Sequence, residues 1–105
     1  MLNPQRGEVS ITVNGQERAM RLTLGALAAL EERLGATSLL DMVQAFEAGT
    51  FRSNDLLALI WAGLNGGGWD VSHGDVGRCT IDGGPLEAAR AAARLLALTF
   101  AERAE

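Results

Sequence analysis

The most reactive combination of side chains lies in one short segment, where the only histidine, His73, follows Ser72 and precedes Asp75. Serine, histidine and aspartate are the parts of a hydrolytic triad, in which the histidine removes the proton of the nucleophilic hydroxyl. That mechanism needs the three groups in line, and residues so close in sequence seldom reach this geometry. The spacing of Ser72 and Asp75 is instead typical of a helix N-terminus, where a serine hydroxyl caps the first turn. We therefore interpret the segment as a polar loop with a single capped helical turn.

The other reactive residue types also lack the partners that chemistry requires. Cys79 is the only cysteine, so it has no partner for an internal disulfide, and with one histidine it does not make a structural zinc site. A small apolar core residue is the simpler interpretation. The glycine triplet at 66–68 does not match the G-x-G-x-x-G pattern of a phosphate-binding loop, because position 71 is valine. We predict no catalytic residue, no metal site and no cofactor, and hence no enzyme.

Composition and charge exclude further classes of function. The 105 residues carry a net charge of -4, and all 9 basic residues are arginine, which excludes lysine-based phosphate loops and Schiff bases. An acidic chain lacks the attraction to phosphates on which nucleic-acid binding depends. The apolar runs are broken by Arg90 and Arg94, well short of a membrane span, and no signal-peptide pattern follows Met1. We expect a cytoplasmic domain with neither a nucleic-acid nor a membrane partner.

The N-terminal region has the pattern of a β-hairpin. Polar and apolar residues alternate from position 8 to position 13, as in a strand with one buried face. Asn14 and Gly15 follow, and this dipeptide tolerates the positive φ angles of a two-residue type I′ turn. The alternation then resumes as far as residue 22. The pattern predicts a hairpin over residues 8–22.

From residue 23 onward the apolar period changes from two to about 3.6, which is typical of helices. Capping residues mark where the helices begin: Thr23, Ser38 and Ser53 precede the first three, and Pro85 begins the last. The predicted helices span 24–34, 39–48, 54–64 and 85–103, and a Gly-rich connection spans 66–84. The predicted fold class is mainly α with an N-terminal β-hairpin (α+β), a small helical bundle that forms a single domain of residues 1–105.

Each of the first three helices has an apolar stripe that we expect to face the core. The stripes are Leu24, Leu27, Leu30 and Leu34 in the first, Leu39, Val43 and Phe46 in the second, and Leu56, Leu57, Ile60 and Leu64 in the third. In the last helix the apolar residues after Arg94 extend most of the way round. Such a segment is either fully buried or covered by another surface.

The apolar content is generous for the interior of so small a domain, and we therefore predict a surface that binds another protein. The residues assigned to apolar contact are Trp61, Leu95, Leu98 and Phe100. A two-stranded hairpin also leaves strand edges with unpaired backbone groups, and such an edge can accept a strand from a partner. The edge assigned to this role carries Val9, Ile11 and Val13. Self-association into a homo-oligomer stays open.

Three blocks of the sequence resemble one protein family: NPQRGEV at 3–9, LTLGALAALE at 22–31 and LLALIWAGL at 56–64. In this order they are similar to the small tail-assembly protein encoded in gene transfer agents, the phage-like particles of alphaproteobacteria, and in related prophages. The resemblance extends from about residue 3 to residue 100. It is weakest over 69–84, where this chain is richer in glycine.

Members of that family are described either as tail tube proteins or as tail-assembly chaperones. Tail tubes are rings of β-rich subunits, whereas this chain has a strand pattern only over 8–22, which is too little to close a barrel. The resemblance therefore implies a chaperone. Its protein partner would be the tape-measure protein, a long helical chain that must stay soluble until tube subunits surround it, bound by helix-in-groove contacts. The alternative is a structural minor tail or tail tube component.

Overall fold

The computed structural model describes residues 7–100, which begin with an antiparallel hairpin of β1 (Val9–Val13) and β2 (Gln16–Met20). Val13 pairs with Gln16 at the turn, and Val9 pairs with Met20 at the far end. Between the strands Asn14 has a φ of 51° and Gly15 a φ of 83°, which are the positive values that a type I′ turn requires. The predicted hairpin is confirmed.

Five helices follow within the described residues: α1 (Leu24–Leu34), α2 (Leu39–Ala48), α3 (Ser53–Gly66), α4 (His73–Arg78) and α5 (Gly84–Phe100). The first two begin where the capping pattern predicts. The Thr23 hydroxyl accepts a hydrogen bond from the backbone N–H of Ala26 at 3.1 Å, and the Ser38 hydroxyl accepts one from Asp41 at 3.0 Å. The predicted fold class, mainly α with an N-terminal hairpin, is confirmed.

The bounds of the later helices differ from the prediction. α3 begins one residue early, because its N-cap is Arg52 and not Ser53. The buried carboxylate of Asp55 accepts a hydrogen bond from the Arg52 backbone N–H at 3.4 Å, which supplies the cap from inside the helix. α5 begins at Gly84, one residue before the predicted start, and its predicted extension to residue 103 lies outside the described residues.

α3 is the central element, and it packs against α1, β2, α4 and α5. Because neighbours surround it, its burial does not follow the single predicted stripe. Leu59 is fully buried although it lies outside that stripe, whereas Leu56 and Leu57 are only partly buried. α5 completes the core by packing against α3, β1 and α2.

The stripes of α1 and α2 are shifted in a similar way. Leu24 is 85% exposed, because α1 is buried through Ala26, Leu30 and Leu34. In α2 the fully buried residue is Met42, and the Phe46 ring stacks on that of Phe51 with 4.4 Å between the ring centroids. The period therefore located the helices correctly but only part of each buried face: Leu30, Leu34 and Phe46 are buried as predicted, whereas Ala26 and Met42 lie outside the predicted stripes.

The end of α3 lies directly against the backbone of β2. The Arg21 backbone N–H donates to the carbonyl oxygen of Gly63 at 2.9 Å. A Cβ atom at Gly66 would collide with the Arg21 carbonyl group, and one at Gly67 would collide with the carbonyl group of Ala19. The glycine triplet thus does more than end the helix, since it also allows α3 and the strand to approach closely.

The predicted Gly-rich connection of 66–84 is an ordered part of the fold. It contains α4, as the capping pattern of Ser72 indicates, and it contributes Val71 and Val76 to the core. Ile81 forms a β-bridge with Val13 on the outer side of β1. These contacts hold the connection against both the hairpin and α3.

Candidate protein-binding surface

The seven residues predicted to contact a partner do not form one exposed surface. Four are buried in the core: Val9, Ile11, Val13 and Leu95. Trp61 and Leu98 are partly buried, and Phe100 is 47% exposed. The side chain of Leu95 is not accessible in the folded domain, because α5 is enclosed between the hairpin, α2 and α3. Partner contact through the remaining residues stays a prediction.

The predicted strand edge is already used by the chain itself near the hairpin turn. The Asn14 backbone N–H donates to the Thr80 carbonyl at 2.8 Å, and the Asp82 N–H donates to the Thr12 carbonyl at 3.0 Å. These two bonds flank the bridge between Val13 and Ile81. A partner strand could therefore not add along the whole of β1 without displacing residues 80–82.

The Asn14 side chain fixes the same connection to the hairpin. Its Oδ1 accepts a hydrogen bond from the Thr80 backbone N–H at 2.9 Å, so that the two residues bond each other in both directions. Its Nδ2 also points at the Cys79 sulfur, 3.6 Å away, and the thiol donates to the Asp75 carbonyl at 3.2 Å. Cys79 is a free, half-buried thiol within this local network.

Trp61 connects three helices. Its indole N–H donates to the Val71 carbonyl at 3.1 Å, and the side-chain amide of Asn65 donates to the same carbonyl at 3.0 Å. The guanidinium of Arg33 lies 5.2 Å from the Trp61 ring centroid, within cation–π range, and the His73 ring meets Trp61 edge-on at 5.8 Å. Asn65 is not among the predicted site residues, and its only signal in the sequence is a polar amide one turn after the tryptophan.

The segment around His73 is arranged as a helix start and not as a hydrolytic site. The Ser72 hydroxyl accepts a hydrogen bond from the Asp75 backbone N–H at 3.1 Å, which is the capping contact that the sequence predicts. Burial lowers the pKa of His73 from its ordinary value of 6.5, and the positive charge of Arg33 lowers it further. Both effects favour the neutral form of the His73 ring at pH 7.

Within the described part of the chain we looked for a metal-binding cluster and for a serine paired with a histidine base. Residues 7–100 hold no cluster of three histidine, cysteine, aspartate or glutamate side chains that could bind a metal ion. The Ser72 hydroxyl accepts from the Asp75 backbone N–H, and within residues 7–100 no hydrogen bond joins it to His73 as a base. That the protein is not an enzyme stays a prediction.

A largely apolar groove of about 270 Å³ lies between α3, α4 and the start of α5. We call it the α3–α5 groove, and its lining residues are Ser53, Asn54, Leu56, Leu57, Ile60, Val76, Gly77, Ile81 and Ala88. None of these described lining residues is charged. Leu56, Leu57 and Ile81 are only partly buried, so the groove presents aliphatic surface to solvent. Such a groove fits apolar side chains of another polypeptide.

Large apolar side chains are also exposed singly. Leu24, Leu40 and Leu86 lie in the first turns of α1, α2 and α5 and are 85%, 64% and 63% exposed. None of the three is among the residues predicted to contact a partner. Isolated exposed leucines are common on protein surfaces, whereas a lined groove is not. The α3–α5 groove is therefore the candidate binding surface.

No helix within residues 7–100 combines the length and apolarity that crossing a bilayer would take.

Comparisons with known proteins identify the family. No curated protein and no solved structure matches the chain. A family model described as "Phage tail tube protein, GTA-gp10" matches residues 6–102. Since this match extends over nearly the whole sequence, the chain belongs to that family of gene transfer agent and phage tail proteins.

Proposed function

We propose that this protein is a tail-assembly chaperone that binds the tape-measure protein in the bacterial cytoplasm while the tail assembles. The observation that carries the proposal is the strand content: residues 7–100 contain two strands of 5 residues each among five helices. A ring of tube subunits is built from β-sheets that close on themselves, and two short strands are too few for that. A helical domain with an open apolar groove suits transient binding of a helical client.

The α3–α5 groove is where the proposal places the client. An amphipathic helix presents apolar side chains every three or four residues, and these would fill the space beside Leu56, Leu57 and Ile81. The groove lining is uncharged, so client binding would bury no unpaired charge. The net charge of -4 elsewhere on the chain would help to keep the complex in solution.

Co-expression with the tape-measure protein of the same locus tests the proposal, with the soluble fraction of that protein as the readout. Leu57→Gln puts an amide into the groove, and Leu24→Gln makes the same change at an 85% exposed leucine on α1. We expect Leu57→Gln to weaken client binding roughly 10- to 100-fold, the value of one buried leucine, and Leu24→Gln to bind as the parent does. Circular dichroism melts of both variants establish that each is folded.

The second candidate is a minor tail or tail tube component, which the family description favours. The two functions differ in where the protein ends up. A chaperone is absent from finished particles, whereas a tail component is retained at a fixed ratio to the other tail subunits. Quantitative mass spectrometry of purified particles separates them. Retention at tail stoichiometry, together with a tape-measure protein that is equally soluble without this chain, would reject the chaperone proposal.

A further inference from the structure

α4 is firmly anchored on both sides but weakly held in between. On its N-terminal side the Val71 carbonyl accepts hydrogen bonds from both Trp61 and Asn65. On its C-terminal side Thr80 is bonded in both directions to Asn14. Residues 71 and 80 are therefore fixed to the rest of the domain, whether or not the segment of residues 72–79 between them is helical.

The contacts that hold α4 between these anchors are few. Val76 is its one buried residue, and α4 packs mainly against α3. Within residues 7–100 the one ion pair of α4 joins Arg78 to Asp75 at 3.3 Å inside the helix, with both side chains well exposed. Such a pair contributes little to stability, because water screens it. The burial of Val76, the edge contact of His73 with Trp61 and the contact of Asn14 with the Cys79 sulfur are thus the main attractions between residues 72–79 and the rest of the domain.

Two of the six residues of α4 are glycines that the folded structure does not require. Neither Gly74 nor Gly77 has a positive φ. A Cβ at Gly74 would meet no atom within 4 Å, and one at Gly77 would reach Leu57 at 3.6 Å, an ordinary contact distance. Glycine within a helix shifts the equilibrium towards the unwound state by about fivefold relative to alanine. This sequence therefore weakens α4 where alanine would fit.

Opening of α4 would uncover apolar surface. Gly77 lies over Leu57, and His73 lies against the edge of Trp61, so α4 runs antiparallel to α3 and covers the side between these two residues. Val76 and Gly77 also form one wall of the α3–α5 groove. Removing that wall would join the groove to the covered side of α3 and give a longer apolar surface.

We propose that residues 72–79 form a lid over α3, which opens between its two anchors without unfolding of the domain and so lengthens the α3–α5 groove. The opening is a property of the free protein. Its use, to admit a longer apolar helix of a client, rests on the proposed function. We call this segment the α4 lid.

Amide hydrogen exchange followed by NMR on the free chain tests the lid. If the lid opens locally, amides at 76–79 exchange faster than the slowest amides of α3, and low concentrations of urea leave their rate almost unchanged while α3 exchange accelerates. Gly74→Ala with Gly77→Ala should slow exchange in the lid roughly twentyfold, and Val76→Ala should accelerate it roughly tenfold. In both variants lid exchange stays insensitive to urea.

The lid is refuted if amides 76–79 share the protection and urea dependence of α3, because they then open only when the whole domain unfolds. It is equally refuted if the double alanine variant exchanges in the lid as fast as the parent. The co-expression assay then tests its use: the double alanine variant should solubilise less client than the parent. Equal solubilisation by both would reject the gating role but would leave the chaperone proposal intact.

Discussion

The substitution Gly66→Ala should have two opposing effects on stability: a gain in helix propensity and a loss from crowding against the backbone of Arg21. Gly66 is the last residue of α3, where alanine would be favoured over glycine by at most about 1 kcal/mol, the difference found in a helix interior. A Cβ there would overlap the Arg21 carbonyl group and come within 3.3 Å of the Ala26 Cβ. Overpacking of this kind costs about 1–3 kcal/mol, and a shift of the strand would also weaken the hydrogen bond from Arg21 to Gly63, worth about 1 kcal/mol. We expect a net loss of about 2 kcal/mol.

Urea unfolding followed by circular dichroism measures this loss, and a thermal scan should show a melting temperature lower by about 8–16 °C. Gly74→Ala is the matched control, because that glycine is also helical and a Cβ there meets no atom within 4 Å. We expect the control to match the parent or to exceed it by up to about 1 kcal/mol. If Gly66→Ala is as stable as the control, close approach of helix and strand is not the reason for glycine at this position.

Three further predictions concern other contacts, and urea unfolding measures each. Asn14→Gly keeps the positive φ but removes the acceptor for the Thr80 N–H, and it should lower the free energy of unfolding by about 1 kcal/mol. Asn14→Ala should lower it by about 1–2 kcal/mol more, because alanine is strained at that φ. Equal losses in the two variants would contradict the view that the turn and the hydrogen bond contribute separately. Because the folded pKa of His73 is lowered, the unfolded chain binds more protons below pH 6.5, so stability should fall as the pH drops through and below that value, and less so in His73→Gln. Leu95→Ala should cost about 2–5 kcal/mol and Leu40→Ala less than about 0.5 kcal/mol, and a reversed order would contradict the assignment of Leu95 to the core.

Local signals in the sequence were sufficient for the elements of this fold. The Asn14-Gly15 dipeptide fixes its own turn geometry, and the capping hydroxyls of Thr23 and Ser38 bond to backbone groups three residues away. These interactions need no knowledge of the rest of the chain. The N-cap of α3 is the exception: Asp55, from inside the helix, bonds to Arg52, and the nearby Ser53 hydroxyl is not needed.

Burial depends on neighbours that the sequence does not name, and the candidate surface was therefore the least predictable part. An apolar period shows which residues share a helix face but not how many elements surround the helix, so Leu59 was missed and Leu24 was wrongly placed in the core. The same ambiguity affected α5, whose apolar residues extend most of the way round. Leu95 was assigned to a partner surface, but it is buried against neighbouring elements of the same domain. The α3–α5 groove joins residues from three helices, and its lining had no contiguous signal.

The condition of the hairpin edges bears on the choice between chaperone and tail component. Strand addition, by which β-rich subunits commonly associate, needs free backbone N–H and C=O groups along an edge. In this hairpin the outer side of β1 is bonded to residues 80–82 near the turn, and β2 leads into Arg21, which is bonded to Gly63 of α3. Strand addition over the turn end of β1 would first have to break the internal hydrogen bonds to residues 80–82, each worth about 1 kcal/mol, and displace the anchor of the α4 lid. Binding in the α3–α5 groove would break none of these hydrogen bonds, which favours a partner that binds as a helix over one that adds a strand.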